Sequence, residues 1–95
     1  MPRLSETAIQ DALAALPGWS REGEALEKRF TFPSFPDAVA FIVRLGFDAE
    51  AADHHPDLVV NYRRVTVRYS THSEGGITEK DVEGARTADR LASGR

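Results

Sequence analysis

Proline and glycine breaks are the feature that most constrains the fold of this chain. They fall at Pro17 and Gly18, at Gly23, at positions 33–36, at Pro56, and at Gly75 and Gly76. Proline cannot continue a helix or join a central strand, and glycine favours turns. Each segment between two breaks is therefore expected to form one short helix or one or two strands. With 95 residues in all, these segments predict a single small domain over residues 1–95.

The spacing of apolar residues changes from one segment to the next. A repeat of three or four residues predicts a helix over 6–16, a longer one that opens within 33–37 and runs to 53, and a last one over 79–92. Alternation of apolar and polar residues predicts strands over 19–21, 25–32, 58–62 and 65–70. One residue conflicts with the alternation, because Lys28 falls on the apolar face of its strand.

The predicted order is helix, strand, strand, helix, strand, strand, helix. Hairpins separated by helices imply an α+β domain, in which a four-stranded antiparallel sheet carries its helices on one face. Ser5 and Ser34 are candidate helix N-caps, and Thr78 with Asp81 has the spacing of a capping box. A domain of this size buries only roughly 60–65% of its unfolded surface, so association with a second copy would stabilise it.

Composition excludes several classes of function. The chain has no cysteine, which excludes disulfides, thiol chemistry and cysteine-based zinc sites. Its net charge of −3 argues against a dedicated nucleic-acid binder. No segment approaches the ~20 apolar residues of a membrane span, and the first residues lack the apolar core of a signal peptide. We therefore expect a soluble cytoplasmic protein that binds neither nucleic acid nor membranes.

The chain's three histidines all fall between positions 54 and 72. His54 and His55 follow the long helix, and His72 follows the last strand, so the three could meet across a shallow cleft. Glu50 lies four residues before His54, which would place both on one helix face. A carboxylate beside an imidazole fixes its tautomer, so such a pair could act as a general acid and base. Asp81, in the first turn of the last helix, could orient one of the histidines.

Other interpretations of the same residues stay open at this stage. Surface histidines are usually only solvated, and an exposed Glu50–His54 pair would contribute only a few tenths of a kcal/mol. Asp81 could simply cap its helix. Zinc held by the histidines with Glu50 and Asp81 is a further alternative, although the chain has no His-Glu-x-x-His helix.

A pattern of several parts around these residues resembles the signature of the pterin-4a-carbinolamine dehydratase family. Its typed positions are Glu50, His54, His55, Pro56, Tyr62, His72 and Asp81. The resemblance spans nearly the whole chain and includes residues 16–19 and 76–81. Arg63 stands where the family commonly has asparagine, and Leu58 and Val59 replace aromatic residues of some relatives. Neither change touches a histidine.

The resemblance implies dehydration of a 4a-hydroxytetrahydropterin to the quinonoid dihydropterin, which recycles the cofactor of aromatic amino acid hydroxylases. It implies acid/base catalysis without a metal or an organic cofactor. His54 and His72 would transfer protons at the leaving hydroxyl or at N5, and His55 would bind the pterin and share in this work. Glu50 and Asp81 would orient and polarise the histidines. The substrate-binding residues would be Asp53, His54, His55, Ser70, Thr71, His72 and Ser73.

The resemblance also implies a homodimer, with tetramers in some members, and it leaves two other functions open. Animal relatives bind a homeodomain transcription factor as a dimerisation cofactor, and some bacterial relatives assist the assembly of a large enzyme complex. The substrate could also be another pterin, such as a molybdopterin-related compound. The three histidines favour the enzyme, because assembly-type relatives have lost them.

Overall fold

The computed structural model describes residues 2–94, and its elements follow the predicted order. The first and last residues of the predicted 1–95 domain lie outside the described residues. The helices are α1 (Glu6–Ala14), α2 (Phe35–Ala52) and α3 (Glu79–Ser93), and a short 3-10 turn covers His72–Glu74. The strands are β1 (Ser20–Glu22), β2 (Ala25–Thr31), β3 (Asp57–Asn61) and β4 (Arg64–Tyr69).

The four strands form one antiparallel sheet in the order β1-β2-β4-β3. The register pairs Leu26 with Tyr69 and places the apolar residues of neighbouring strands on the same face. The helices pack on that face, where the ring of Phe41 in α2 lies 5.1 Å from the ring of Phe30 in β2. The prediction of an α+β domain with its helices on one face of a four-stranded sheet is therefore confirmed.

Lys28 lies on the helix-covered face of β2, and the structure shows how this face tolerates a charge. Its Nζ donates to Asp89 Oδ1 of α3 at 2.9 Å and to the Pro17 carbonyl at 3.2 Å. The indole nitrogen of Trp19 donates to the same Asp89 oxygen at 3.1 Å. The long aliphatic stem packs in the apolar layer while the ammonium group reaches a carboxylate at its border.

Two surfaces outside the core are apolar and exposed. On α2, four large side chains spaced by four residues form what we call the α2 stripe: Phe35, Val39, Val43 and Phe47. Along β3, one of the two outer strands of the sheet, Val59, Val60 and the following Tyr62 are also exposed, with Val59 and Val60 on opposite faces. A row of exposed apolar side chains such as the α2 stripe is typical of an interaction surface. Despite the stripe, none of the helices described between residues 2 and 94 is long and apolar enough to cross a membrane.

Gly84 makes room in α3 for the buried ring of Tyr69. A Cβ atom at Gly84 would lie 2.5 Å from Cε1 of that ring, which is closer than side-chain carbons pack. We predict that Gly84→Ala lowers the free energy of unfolding by about 1–3 kcal/mol, the usual range for overpacking. The effect should appear although alanine favours a helix over glycine by roughly 1 kcal/mol.

The matched control for this prediction is Gly46→Ala in α2. A Cβ atom there meets nothing within 4 Å, so the substitution should stabilise the protein by up to about 1 kcal/mol. Urea denaturation of both variants measures the difference. Equal effects on the two helices would show that Tyr69 does not need the space at Gly84.

Candidate active site

The residues predicted to bind substrate line one open cavity of about 400 Å³. The cavity lies where α2 and β4 end and α3 begins. Its lining consists of Asp53, His54, His55, Ser70, Thr71, His72, Ser73 and Lys80. Lys80 is the one member that sequence reasoning did not single out, although it lies within the run 76–81 that carries the family resemblance.

The end of α2 directs His54 and His55 toward this cavity. Asp53 caps the helix in the left-handed conformation, with φ of 52°, and the His54 amide donates back to the Ala49 carbonyl at 3.1 Å. The chain therefore turns sharply, and Pro56 disfavours any return to helix at His55. His54 and His55 therefore lie beyond the end of α2 and are not part of its last turn.

Glu50 contacts His55, not His54. Its Oε1 lies 2.8 Å from His55 Nε2, and both side chains are largely exposed. The prediction of a Glu50–His54 pair is wrong because α2 ends at Ala52, so the four-residue spacing no longer keeps the two on one face. Glu50 itself does not line the cavity and reaches it only through His55.

Asp81 holds His54 in place. The carboxylate is fully buried, and its Oδ1 lies 2.6 Å from His54 Nε2. Its Oδ2 accepts from the Thr71 hydroxyl at 2.8 Å and from the Thr78 amide at 2.9 Å, which completes the capping box of α3. An ionised carboxylate only accepts, so Nε2 carries the hydrogen and Nδ1 is the nitrogen that can exchange a proton. Asp81 thus caps its helix and orients a histidine at once.

His72 lies at the start of the 3-10 turn, exposed to solvent. The turn is held at its base by Thr71, which forms an isolated bridge with Gly76. No hydrogen bond joins the His72 ring to another side chain within residues 2–94, whereas His54 is anchored by Asp81. Of the three imidazoles that line the cavity, His54 and His55 are therefore held by carboxylates, and the His72 ring is free of such a partner among the described residues.

Tyr69 lies behind His54 and was not among the residues predicted for the site. Its ring is 1% exposed and stacks on the His54 ring, with centroids 5.7 Å apart and planes inclined by 19°. Burial, with the nearby negative charges of Asp48 and Asp81, raises the pKa of the Tyr69 hydroxyl well above its ordinary value. The hydroxyl therefore stays protonated at neutral pH, and nothing in the sequence alone pointed to its contact with His54.

The sequence left open a zinc site formed by the histidines with Glu50 and Asp81. Over residues 2–94, no group of three or more histidine, aspartate or glutamate side chains is arranged to hold a metal ion. His54 Nε2 is already bonded to Asp81, and His55 Nε2 to Glu50.

Comparison with known sequences gives a match over nearly the whole chain. Residues 2–91 match the profile of the family described as pterin 4 alpha carbinolamine dehydratase. A protein of Thermosynechococcus vestitus, provisionally named a pterin-4-alpha-carbinolamine dehydratase, is 49% identical over 90 residues, which cover 95% of this chain and 95% of that protein. A protein of Roseiflexus sp. (strain RS-1) with the same provisional name is 46% identical over 89 residues, which cover 94% and 96%.

Two solved structures share the fold. The crystal structure of a transcriptional coactivator/pterin dehydratase from Brucella melitensis superposes with a TM-score of 0.92 at 40% identity, covering 95% of this chain and 98% of that one. A pterin dehydratase-like protein identified as a RuBisCO assembly factor in the alpha-carboxysome superposes with a TM-score of 0.68 at 27% identity, covering 79% and 89%. A protein described as a pterin dehydratase and a protein identified as an assembly factor therefore share this fold.

Proposed function

The chain belongs to the pterin 4 alpha carbinolamine dehydratase family, and on that premise we propose that it dehydrates a 4a-hydroxytetrahydropterin to the quinonoid dihydropterin. The observation that carries the proposal is the single cavity lined by three histidines, one of them held by a buried carboxylate. We place the reaction in the cytoplasm, where it would recycle the pterin cofactor of aromatic amino acid hydroxylases.

The reaction needs two proton transfers at neighbouring positions of a small ring system. The bond from C4a to the hydroxyl breaks, N5 loses its proton, and a C4a–N5 double bond forms as water leaves. One group must deliver a proton to the hydroxyl, and another must remove the proton from N5. We assign these roles to His54, acting through Nδ1, and to His72, without choosing which serves which atom.

The other cavity residues would bind and orient the pterin. His55, held by Glu50, would contact the ring and could share in proton transfer. The polar edge of a pterin offers both donors and acceptors, which suit the carboxylate of Asp53 and the backbone N–H and carbonyl groups of residues 70–73, Thr71 included. A shallow, open cavity suffices, because general acid/base catalysis typically contributes only ~10²–10⁴-fold.

The proposal includes self-association, as a homodimer or a tetramer, supported by the α2 stripe and the exposed apolar side chains along β3. We expect light scattering to give at least twice the chain mass of 10.5 kDa. Phe47, the most exposed member of the stripe, is 77% exposed, and Phe47→Glu should shift the protein toward smaller species. The control is Ala14→Glu on α1. A monomer at working concentration would contradict the proposal.

A second candidate is a protein that binds or assembles other proteins on the same scaffold. Two proteins of the same fold support it, one identified as a RuBisCO assembly factor and one described as a transcriptional coactivator/pterin dehydratase, and the α2 stripe offers a surface. This function would have no need for three histidines around one cavity. We therefore prefer the dehydratase.

A coupled hydroxylase assay tests the proposal. An aromatic amino acid hydroxylase generates the 4a-hydroxytetrahydropterin, and its decay is followed by ultraviolet absorbance with and without the protein. The dehydratase should accelerate the decay in proportion to protein concentration. If the decay rate equals the spontaneous rate at every protein concentration, the proposed dehydratase activity is wrong. The binding or assembly function would then be the better explanation.

A further inference from the structure

Thr78 is a buried polar residue that the proposed mechanism does not use. Its side chain is 0% exposed and does not line the candidate active-site cavity. As the N-cap of α3, its Oγ1 accepts from the Lys80 amide at 3.2 Å. The same oxygen lies 2.8 Å from Oγ1 of Thr71. Helix capping needs only an acceptor, so the contact with Thr71 requires a second explanation.

The hydrogen bonds around Thr78 can run in only one direction. Asp81 accepts from the Thr71 hydroxyl at 2.8 Å, and an ionised carboxylate cannot donate. The single hydroxyl hydrogen of Thr71 is therefore committed to Asp81, so its oxygen must accept from the Thr78 hydroxyl. We call the resulting series the threonine network, and it consists of the Lys80 amide, the Thr78 hydroxyl, the Thr71 hydroxyl and the Asp81 carboxylate, which also accepts from His54 Nε2.

The side chains of the threonine network are shielded from water. Thr71 is 7% exposed, and Thr78 and Asp81 are both 0% exposed. In such surroundings hydrogen bonds polarise one another, and a group that loses its partner cannot turn to solvent instead. Without the Thr78 hydroxyl, the Thr71 oxygen would lose its donor, and its own hydrogen would no longer be restricted to the direction of Asp81.

The threonine network reaches both histidines that we assign to proton transfer. At one end, Asp81 Oδ1 lies 2.6 Å from His54 Nε2. In the middle, Thr71 directly precedes His72, and its backbone forms the isolated bridge at the base of the 3-10 turn. Thr78 therefore links the start of α3 to the segments that carry both imidazoles.

We propose that Thr78 is a positioning residue for the dehydration. Its hydroxyl fixes the hydroxyl of Thr71, which in turn fixes the carboxylate of Asp81. The ring of His54 is thereby held in the orientation that proton transfer requires. This inference rests on the proposed dehydratase function and adds to it a residue that touches neither the substrate nor the reacting atoms.

Substitutions at Thr78 test this role in the coupled hydroxylase assay. Thr78→Val keeps the shape of the side chain but removes the hydroxyl, whereas Thr78→Ser keeps the hydroxyl. We expect Thr78→Val to lower kcat about five- to tenfold, the usual effect of one buried hydrogen bond, with KM changed by less than about twofold because the cavity lining is intact. Thr78→Ser should keep at least about half of the parent kcat. If the valine variant folds poorly, Thr78→Gly takes its place, since glycine is tolerated at an N-cap and also lacks the hydroxyl.

The matched control is Ser34→Ala at the N-cap of α2. Ser34 accepts from the Asp37 amide at 3.2 Å and donates to the Asp37 carboxylate at 3.0 Å, but no histidine within residues 2–94 hydrogen-bonds to that carboxylate. The control should lower stability through the loss of a cap and leave kcat within about twofold of the parent. An equal fall in kcat for Thr78→Val and Ser34→Ala, or an equal kcat for Thr78→Val and Thr78→Ser, would overturn the inference.

Proton NMR of the His54 ring separates this inference from the proposed function. Its Nε2–H donates to a buried carboxylate, so this hydrogen should exchange slowly with water and give a resonance of its own. Thr78→Val should broaden or shift that resonance, and Thr78→Ser and Ser34→Ala should leave it unchanged. A protein without dehydratase activity that shows this pattern would uphold the positioning of His54 and contradict the proposed function. An active protein in which Thr78→Val changes neither kcat nor the resonance would do the reverse.

Discussion

Replacing His54 by alanine is expected to lower kcat/KM for the 4a-hydroxytetrahydropterin by roughly 10²–10⁴-fold, the usual contribution of a positioned general acid or base. His72→Ala should cause a loss of the same order. The reason is geometric, since both imidazoles line the one cavity and the reaction requires a proton donor and a proton acceptor at neighbouring atoms. Steady-state rates in the coupled hydroxylase assay measure both effects.

The two histidine variants differ in their expected effect on stability, which serves as an internal control. His72 is exposed, so its removal should leave the free energy of unfolding within about 0.5 kcal/mol of the parent. His54→Ala removes a donor to the buried Asp81 and a ring stacked on Tyr69, so a moderate destabilisation is expected. Retention of full activity in both variants would show that the site is misassigned.

Asp81→Ala is expected to lower the free energy of unfolding by about 3 kcal/mol, because a buried charged acceptor is lost together with a helix cap. The Thr78 amide, the Thr71 hydroxyl and His54 Nε2 would each lose the carboxylate as a hydrogen-bond acceptor. The variant should also lose most of the activity, since His54 would no longer be held in one orientation. Urea denaturation and the coupled assay measure the two losses separately.

Asp37→Ala is the matched control, because Asp37 occupies the same position in the first turn of α2 that Asp81 occupies in α3. Its carboxylate accepts from the Ser34 hydroxyl at 3.0 Å but is only partly buried and holds no histidine. We expect a loss of at most about 1 kcal/mol and unchanged activity. Similar losses in the two variants would mean that the buried network around Asp81 contributes nothing beyond a helix cap.

The parts of the structure that the sequence predicts are those set by local chemistry. Ser5 and Ser34 cap their helices as expected, since a cap depends only on residues within one turn. The order of the hairpins and the apolar faces of the strands followed from the spacing of apolar residues. The family resemblance named every residue that lines the candidate active-site cavity except Lys80.

Contacts between residues far apart in the chain were not predictable in the same way. The Glu50–His54 pairing failed because a single left-handed residue, Asp53, redirects the backbone. The fit of Tyr69 against Gly84 and His54 depends on how α3 lies across the sheet, which no local pattern specifies. The position of Lys28 on the apolar face could not be explained from the strand alone, because its partner Asp89 lies 61 residues away in the sequence.

Asp81 both caps α3 and orients His54, and this has a consequence for interpreting related sequences. A relative that does not catalyse the proposed reaction could lack His72 at almost no cost to its fold, whereas loss of Asp81 would lower the free energy of unfolding by about 3 kcal/mol. Selection for a stable scaffold alone would therefore preserve the aspartate long after the chemistry had gone. An aspartate at the position of Asp81 is therefore a poor marker of catalysis in a related sequence, and a histidine at the position of the exposed His72, which the fold does not need, is the informative residue.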